Sequence, residues 1–98
     1  MQIILLQSIL ENKDYADAGT AVYEIAKTAV SNQEVVILDM KGVDSVPTIF
    51  MNTSFGKLID EFGIEETKKS FKFRNILKTQ VERIIKYFKD SETVNQSK

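Results

Sequence analysis

Apolar residues fall along this chain as short continuous or alternating runs interleaved with stripes of helical period. Residues 2–10 (QIILLQSIL) concentrate Ile and Leu in a segment too short to read as a helix, and predict a buried strand followed by the polar connection 11–14. From Asp17 to Val30, Ala18, Ala21, Val22, Ile25, Ala26, Ala29 and Val30 recur at helical spacing, which predicts an amphipathic helix ending near Ser31-Asn32. Its small side chains would let it lie close on the sheet. Residues 34–40 (EVVILDM) are nearly all apolar, the pattern of a strand covered on both faces in a parallel sheet. Pro47 suits the first turn of a helix. Beyond it Met51, Phe55, Leu58, Ile59 and Phe62 form one stripe that stops at Gly63, a C-cap residue. Residues 70–75 (SFKFRN) alternate Phe71 and Phe73 with Lys72 and Arg74, so the aromatics share one strand face and the cations the other. Asn75 then reads as the cap of a last helix with the stripe Leu77, Val81, Ile84, Ile85 and Phe88.

The predicted order β-α-β-α-β-α implies an α/β fold with a small, mainly parallel sheet, right-handed crossovers and helices packed on it. With 98 residues the chain can bury one core. Residues 1–90 are therefore expected to form a single domain and residues 91–98 (SETVNQSK), which have almost nothing to bury, a disordered tail. The run Ile3–Leu6 lacks a basic flank and is far too short to span a bilayer, so neither a secretory leader nor a membrane segment is expected.

Composition removes chemistry. There is no Cys and no His, which excludes disulfides, Cys/His zinc sites, Cys nucleophiles and Ser-His-Asp triads, and fits a cytoplasmic location. The glycines, at 19, 42, 56 and 63, cannot make a dinucleotide fingerprint. Gly56-Lys57 fails as a P-loop, because Met51 and Leu58 stand where Gly and Ser or Thr are needed. Asp39 ends the central strand at the edge where open α/β sheets hold ligands, with Asp44 close in sequence. Such a pair could form a Mg²⁺ site or Asp39 a phosphoacceptor, but the expected role of Asp39 is the simpler one of binding loop N–H groups. A non-enzyme without metal or cofactor is expected. The near-zero net charge hides an asymmetry: residues 1–63 carry four cations against nine carboxylates (net −5), and residues 64–98 nine against five (net +4). Lys72, Arg74, Lys78, Arg83, Lys86 and Lys89 could thus face nucleic acid or a phosphorylated ligand, with Phe71 and Phe73 as stacking residues. Strand alternation favours a core role for the two rings, and nucleic acid is not the expected partner.

One segment carries a family resemblance. Residues 35–58 (VVILDMKGVDSVPTIFMNTSFGKL) combine a hydrophobic strand ending Leu38-Asp39, then Gly42-Val43, then a hydroxyl-bearing turn into an amphipathic helix. This resembles the centre of STAS domains, the fold of anti-sigma-factor antagonists, and more closely the bacterial STAS-like family DUF4325, on Phe50, Phe55, Gly56, Lys57, Leu58, Gly63, Phe71-Lys72-Phe73 and Asn75. The chain departs from these patterns in having Pro47-Thr48-Ile49 where STAS domains often carry Asp-Ser-Ser, and Asn52-Thr53 in place of an acidic pair. It also lacks an Arg at the start of the first helix. The resemblance implies a cytoplasmic signalling module that binds a protein partner, a kinase-like ATPase or a regulator. In such modules a hydroxyl at this helix start is phosphorylated, which places Thr48 there with Ser45 as the second candidate. The implied docking surface is Asp44, Ser45, Val46, Pro47, Thr48, Asn52 and Thr53. Ser and Thr are also favoured helix caps, the structural role expected of Ser45 or Thr48. Oligomeric state is left open.

Overall fold

A computed structural model describes the backbone of residues 2–96 and the side chains of residues 2–92. Three strands, β1 (Gln2–Leu5), β2 (Val36–Asp39) and β3 (Phe71–Arg74), form one sheet in the order β1-β2-β3, parallel throughout. The register sorts the side chains into two faces. Ile4, Leu38 and Phe73 lie side by side on the inner face, as do Val36 and Phe71. Ile3, Ile37 and Lys72 share the outer face with Leu5, Asp39 and Arg74. Helices cover only the inner face, and Ile3 and Leu5 stand 47% and 55% exposed on the outer one. The expectation of a β2 covered on both faces is thus corrected: helices cover one face, and on the other Ile37 is half-buried between its neighbours in the sheet.

The first crossover corrects the expected strand over residues 2–10. After Leu5 the chain turns into a one-turn helix, α1 (Leu6–Leu10), in which Leu6 is buried and Ile9 and Leu10 pack against the core. Those three residues have the i, i+3, i+4 spacing of a helix face. α2 (Tyr15–Ser31) starts before the expected Asp17 because Asp14 is its N-cap, accepting a hydrogen bond from the Asp17 N–H at 2.8 Å. It ends where Gln33 turns left-handed (φ 59°) and the Glu34 N–H reaches the Ala29 carbonyl at 2.8 Å, a Schellman-type closure.

The second crossover is an uninterrupted helical rod made of α3 (Thr48–Met51), a π-helical turn (Asn52–Gly56) and α4 (Lys57–Phe62). The Thr53 and Ser54 hydroxyls both donate to the Phe50 carbonyl, at 3.2 and 2.7 Å, in the stretch where i→i+4 bonding gives way to i→i+5. The extra residue in that turn widens the inward face, so Phe50 and Ser54 join the expected stripe in the interior. Gly63 (φ 90°) ends the rod as expected, its N–H on the Ile59 carbonyl at 2.9 Å. A further helix, α5 (Ile64–Ser70), follows at once, with Thr67 bonded to the Gly63 carbonyl at 2.9 Å. The expected alternation therefore holds for the strands and main helices, and each crossover carries one more helix than foreseen.

The last helix, α6 (Lys78–Gln96), begins later and ends later than expected. Asn75 does not cap it. Gln80 does, accepting the Leu77 N–H at 2.9 Å from the third helical position as in a capping box. The helix continues through residues 91–96, so the expected boundary at residue 90 is absent from the described residues, and residues 97 and 98 of the expected tail lie outside them.

The core gathers around Phe55. Its ring meets Phe71 at 5.0 Å, Phe88 at 5.4 Å, Phe73 at 6.2 Å and Phe50 at 6.3 Å between centroids, mostly edge to face, the favoured geometry for aromatic pairs. One residue from the rod thus ties together the sheet edge and α6. Below it, α2 crosses the rod at Gly19, where a Cβ would come within 1.9 Å of Thr53 Oγ1 and 2.6 Å of the Phe50 carbonyl oxygen. Every buried side-chain nitrogen or oxygen among the described residues has a hydrogen-bond partner.

Candidate functional site

The loop from Met40 to Pro47 joins the C-terminal end of β2 to the rod. It begins with a turn in which the Val43 N–H meets the Met40 carbonyl at 3.0 Å and Gly42 takes a φ of 81°, a conformation that strains other residues. Asp39 anchors it. Its Oδ1 accepts the Lys41 N–H and the Asn75 side-chain N–H, both at 3.0 Å, and Arg74 lies at 3.9 Å from Oδ2. Asn75 is free to do this because it adopts φ 55°, a left-handed conformation that Asn tolerates. Asp39 therefore binds loop N–H groups at the strand end, and Asp44 lies elsewhere, exposed beside Tyr15 and Gln7 in a separate surface hollow. The two carboxylates do not form one site.

The Asn75 donor first, then the Lys41 N–H, and to a smaller degree the Arg74 charge, hold the Asp39 carboxyl below its ordinary value. The unfolded chain thus binds a proton at Asp39 more readily than the folded one. The resulting stability is fully present above the ordinary pKa of about 3.9 and is lost as pH falls through the folded value. Asp39→Asn, which cannot titrate, is expected to lose less stability than wild type between about pH 5 and pH 2 in urea unfolding curves; equal losses would show that Asp39 is not the group concerned.

From the other side Gln80 closes the loop. It is buried, and its Nε2 donates to the Val43 carbonyl at 2.7 Å while its Oε1 caps α6. This clasp is not legible in the sequence, where Gln80 falls between the apolar positions of the last stripe and takes the third helical position only because the helix starts at Lys78 rather than after Asn75.

The seven expected surface residues separate into three groups. Asp44 and Ser45 are exposed near the start of α2, with Ser45 Oγ 3.2 Å from the Tyr15 hydroxyl. Thr48 and Asn52 are exposed one helical turn apart, on a groove between the rod and α6, and Pro47 is half-buried between the two groups. Val46 and Thr53 are corrections. Val46 is 1% exposed and belongs to the core, as do Met40 and Val43 of the same loop. Thr53 is half-buried against Gly19, its hydroxyl committed to the Ile49 and Phe50 carbonyls. The expected capping role is corrected as well: Pro47 is the N-cap and no side chain caps the rod, so Thr48 is its first residue with its hydroxyl uncommitted among the described hydrogen bonds. Ile49, which the stripe did not flag, stands 49% exposed beside it.

The groove has a volume of about 780 Å³. Met51, Gly56 and Ile59 contribute to its rod wall, and Arg83, Lys86 and Tyr87 to its α6 wall. Tyr87 spans it, donating to Asn52 Oδ1 at 2.9 Å and covering Gly56, where a Cβ would come within 2.6 Å of its hydroxyl. Burial, and secondarily the charge of Asp60, push the Tyr87 phenol above its ordinary value, so it remains a neutral donor.

The expected basic surface does not form one patch. Lys72 and Arg74 lie on the outer sheet face, Arg83 and Lys86 on the groove, and Lys89 beside a second hollow with Phe71 and Phe88. Phe71 and Phe73 stack in the interior cluster, as strand alternation favoured. No helix among the described residues is long and apolar enough to cross a membrane.

One comparison with known proteins covers the loop and the rod. A family model described as a STAS-like domain of unknown function (DUF4325) matches residues 18–81, from α2 into α6. The chain belongs to that family. The match takes in the loop, the rod and β3, and so covers the whole candidate surface except the part of α6 beyond Val81. Comparison with curated proteins and with solved structures finds no match.

Proposed function

We infer that this STAS-like domain is a non-enzymatic cytoplasmic regulatory module that docks a protein partner on Asp44, Ser45, Thr48, Ile49 and Asn52. Phosphorylation of Thr48 is the switch that releases the partner. The observation that carries this function is the state of Thr48: exposed, first in the rod, and with a hydroxyl that neither caps the helix nor bonds elsewhere among the described residues. A helix start leaves backbone N–H groups unpaired, which tolerates added negative charge locally. The same roughly −1.5 to −2 charges set into a docking surface oppose association. Ile49 supplies the exposed apolar contact beside it, and Asn52 a polar rim held by Tyr87. Ser45 is the less suited hydroxyl because it already lies against Tyr15.

The test is capture of partners from a bacterial lysate on immobilised wild type and Thr48→Glu, followed by titration of whichever protein is retained. The expected result is an affinity at least roughly tenfold weaker for Thr48→Glu, about 1.4 kcal/mol. Equal affinity of both forms would count against Thr48 as the switch.

A further inference from the structure

Thr48 and the exposed cation Arg83 line one groove between the rod and α6. The rod and α6 each follow a strand of the parallel sheet and line the two sides of one groove. Their contacts fix the alignment. Asn52 meets Tyr87 at 2.9 Å, and Gln80, at the start of α6, bonds the Val43 carbonyl ahead of the rod at 2.7 Å. Thr48 lies four residues before Asn52, and Arg83 four residues before Tyr87. Residues four apart share a helix face, so Thr48 and Arg83 occupy the same level on opposite walls of one groove.

The charges lining the groove are ordered along it. Lys86 is engaged with Asp90, at 3.3 Å on its own helix, and Asp60 and Asp90 lie 12 and seven residues beyond Thr48 and Arg83 on their helices. Arg83 is exposed and has no ion-pair partner among the described residues. A guanidinium offers a planar fork of N–H donors that matches phosphate oxygens two at a time, so Arg83 is the better receiver of the two groove cations.

Resting on the switch described above, we propose that phosphothreonine at position 48 is received by Arg83 within the same chain, so that phosphorylation bridges the rod to α6 and closes this end of the groove. Phosphoryl transfer from a nucleoside triphosphate, catalysed by a partner kinase, forms the bond to Thr48 Oγ1 and breaks the bond to the β-phosphate. The hydroxyl proton passes to the kinase, and nucleoside diphosphate leaves. The charge that repels the partner is then held in place by a side chain of the domain itself, and the modified surface differs from the free one in shape as well as in charge.

The experiment uses the full chain carrying phosphothreonine at position 48, installed during translation, with Arg83 intact, as Arg83→Gln and as Arg83→Glu. The second ionisation of the phosphate is followed by ³¹P NMR against pH. A nearby guanidinium favours the dianion, so with Arg83 present the pKa is expected to fall roughly half a unit or more below its usual value of about 6. It should return toward that value in Arg83→Gln and rise further in Arg83→Glu, against the standing background of Lys86, Asp60 and Asp90. Arg83 is exposed, so thermal unfolding should be little changed by either substitution. Equal phosphate pKa values in the wild-type and Arg83→Gln chains would overturn the proposal. Partner capture by the same phosphorylated chain tests the switch separately, since release can occur without the bridge and the bridge can form without release.

Discussion

Replacing Phe55 with alanine is expected to cost about 3–5 kcal/mol of folding stability, the range for deletion of a fully buried aromatic ring. Phe55 is fully buried and touches four other phenylalanine rings, from the rod, the sheet edge and α6. The loss combines the transfer free energy of the ring with a cavity that its neighbours cannot fill, because Phe50, Phe71 and Phe88 are each pinned to a different element. Small domains are stable by only about 5–15 kcal/mol, so the variant should unfold at a markedly lower urea concentration. Phe73→Ala, by contrast, removes a half-buried ring at the margin of the cluster and should cost less. Equal midpoints for wild type and Phe55→Ala would show that the cluster does not hold the rod to the sheet.

Gly19→Ala should destabilise the domain by about 1–3 kcal/mol or more, although alanine is the better helix former. The new methyl would meet Thr53 Oγ1 at 1.9 Å and the Phe50 carbonyl oxygen at 2.6 Å. The first contact could be relieved by trimming the side chain, but the second is backbone in the π-helical turn and can be relieved only by moving α2 away from the rod. Gly19→Ala combined with Thr53→Ala should therefore recover only part of the loss in urea unfolding. Full recovery would place the whole clash on the Thr53 side chain, and no loss in the single variant would mean that the two helices are further apart than described.

The contrast between these two positions indicates what a single sequence carries. Phe55 was legible because it sits on a helical stripe, and β2 because Val35–Leu38 is an unbroken apolar run. Gly19 was not, since close approach of a second helix leaves no local pattern. α5 escaped for a related reason: its inward positions Ile64, Thr67 and Ser70 are mostly polar and satisfied by local hydrogen bonds or burial beside α4, so no apolar period marks it. The turn at Leu6 was hidden because the same Ile and Leu residues serve a strand before it and a helix after it.

At the candidate surface, Asp44, Ser45, Thr48 and Asn52, which the family resemblance implies as a docking surface, are exposed. Val46 and Thr53 turn inward instead, which position in the sequence does not distinguish from the outward course of their neighbours. Asn75 was read as a cap from its residue type, yet its left-handed backbone turns it toward Asp39, a partner 36 residues away in the chain. Gln80 and Arg83 acquire their roles only when α6 is laid beside the rod. What the sequence lacked in each case was the tertiary neighbour.

The central claim, that the start of the rod and its preceding loop form the docking surface, is tested most directly by amide hydrogen exchange on the domain alone and bound to its captured partner. Protection is expected to concentrate in residues 44–52, with the outer sheet residues Ile3, Ile37 and Lys72 unchanged. Protection of the outer sheet face with residues 44–52 unaffected would contradict it.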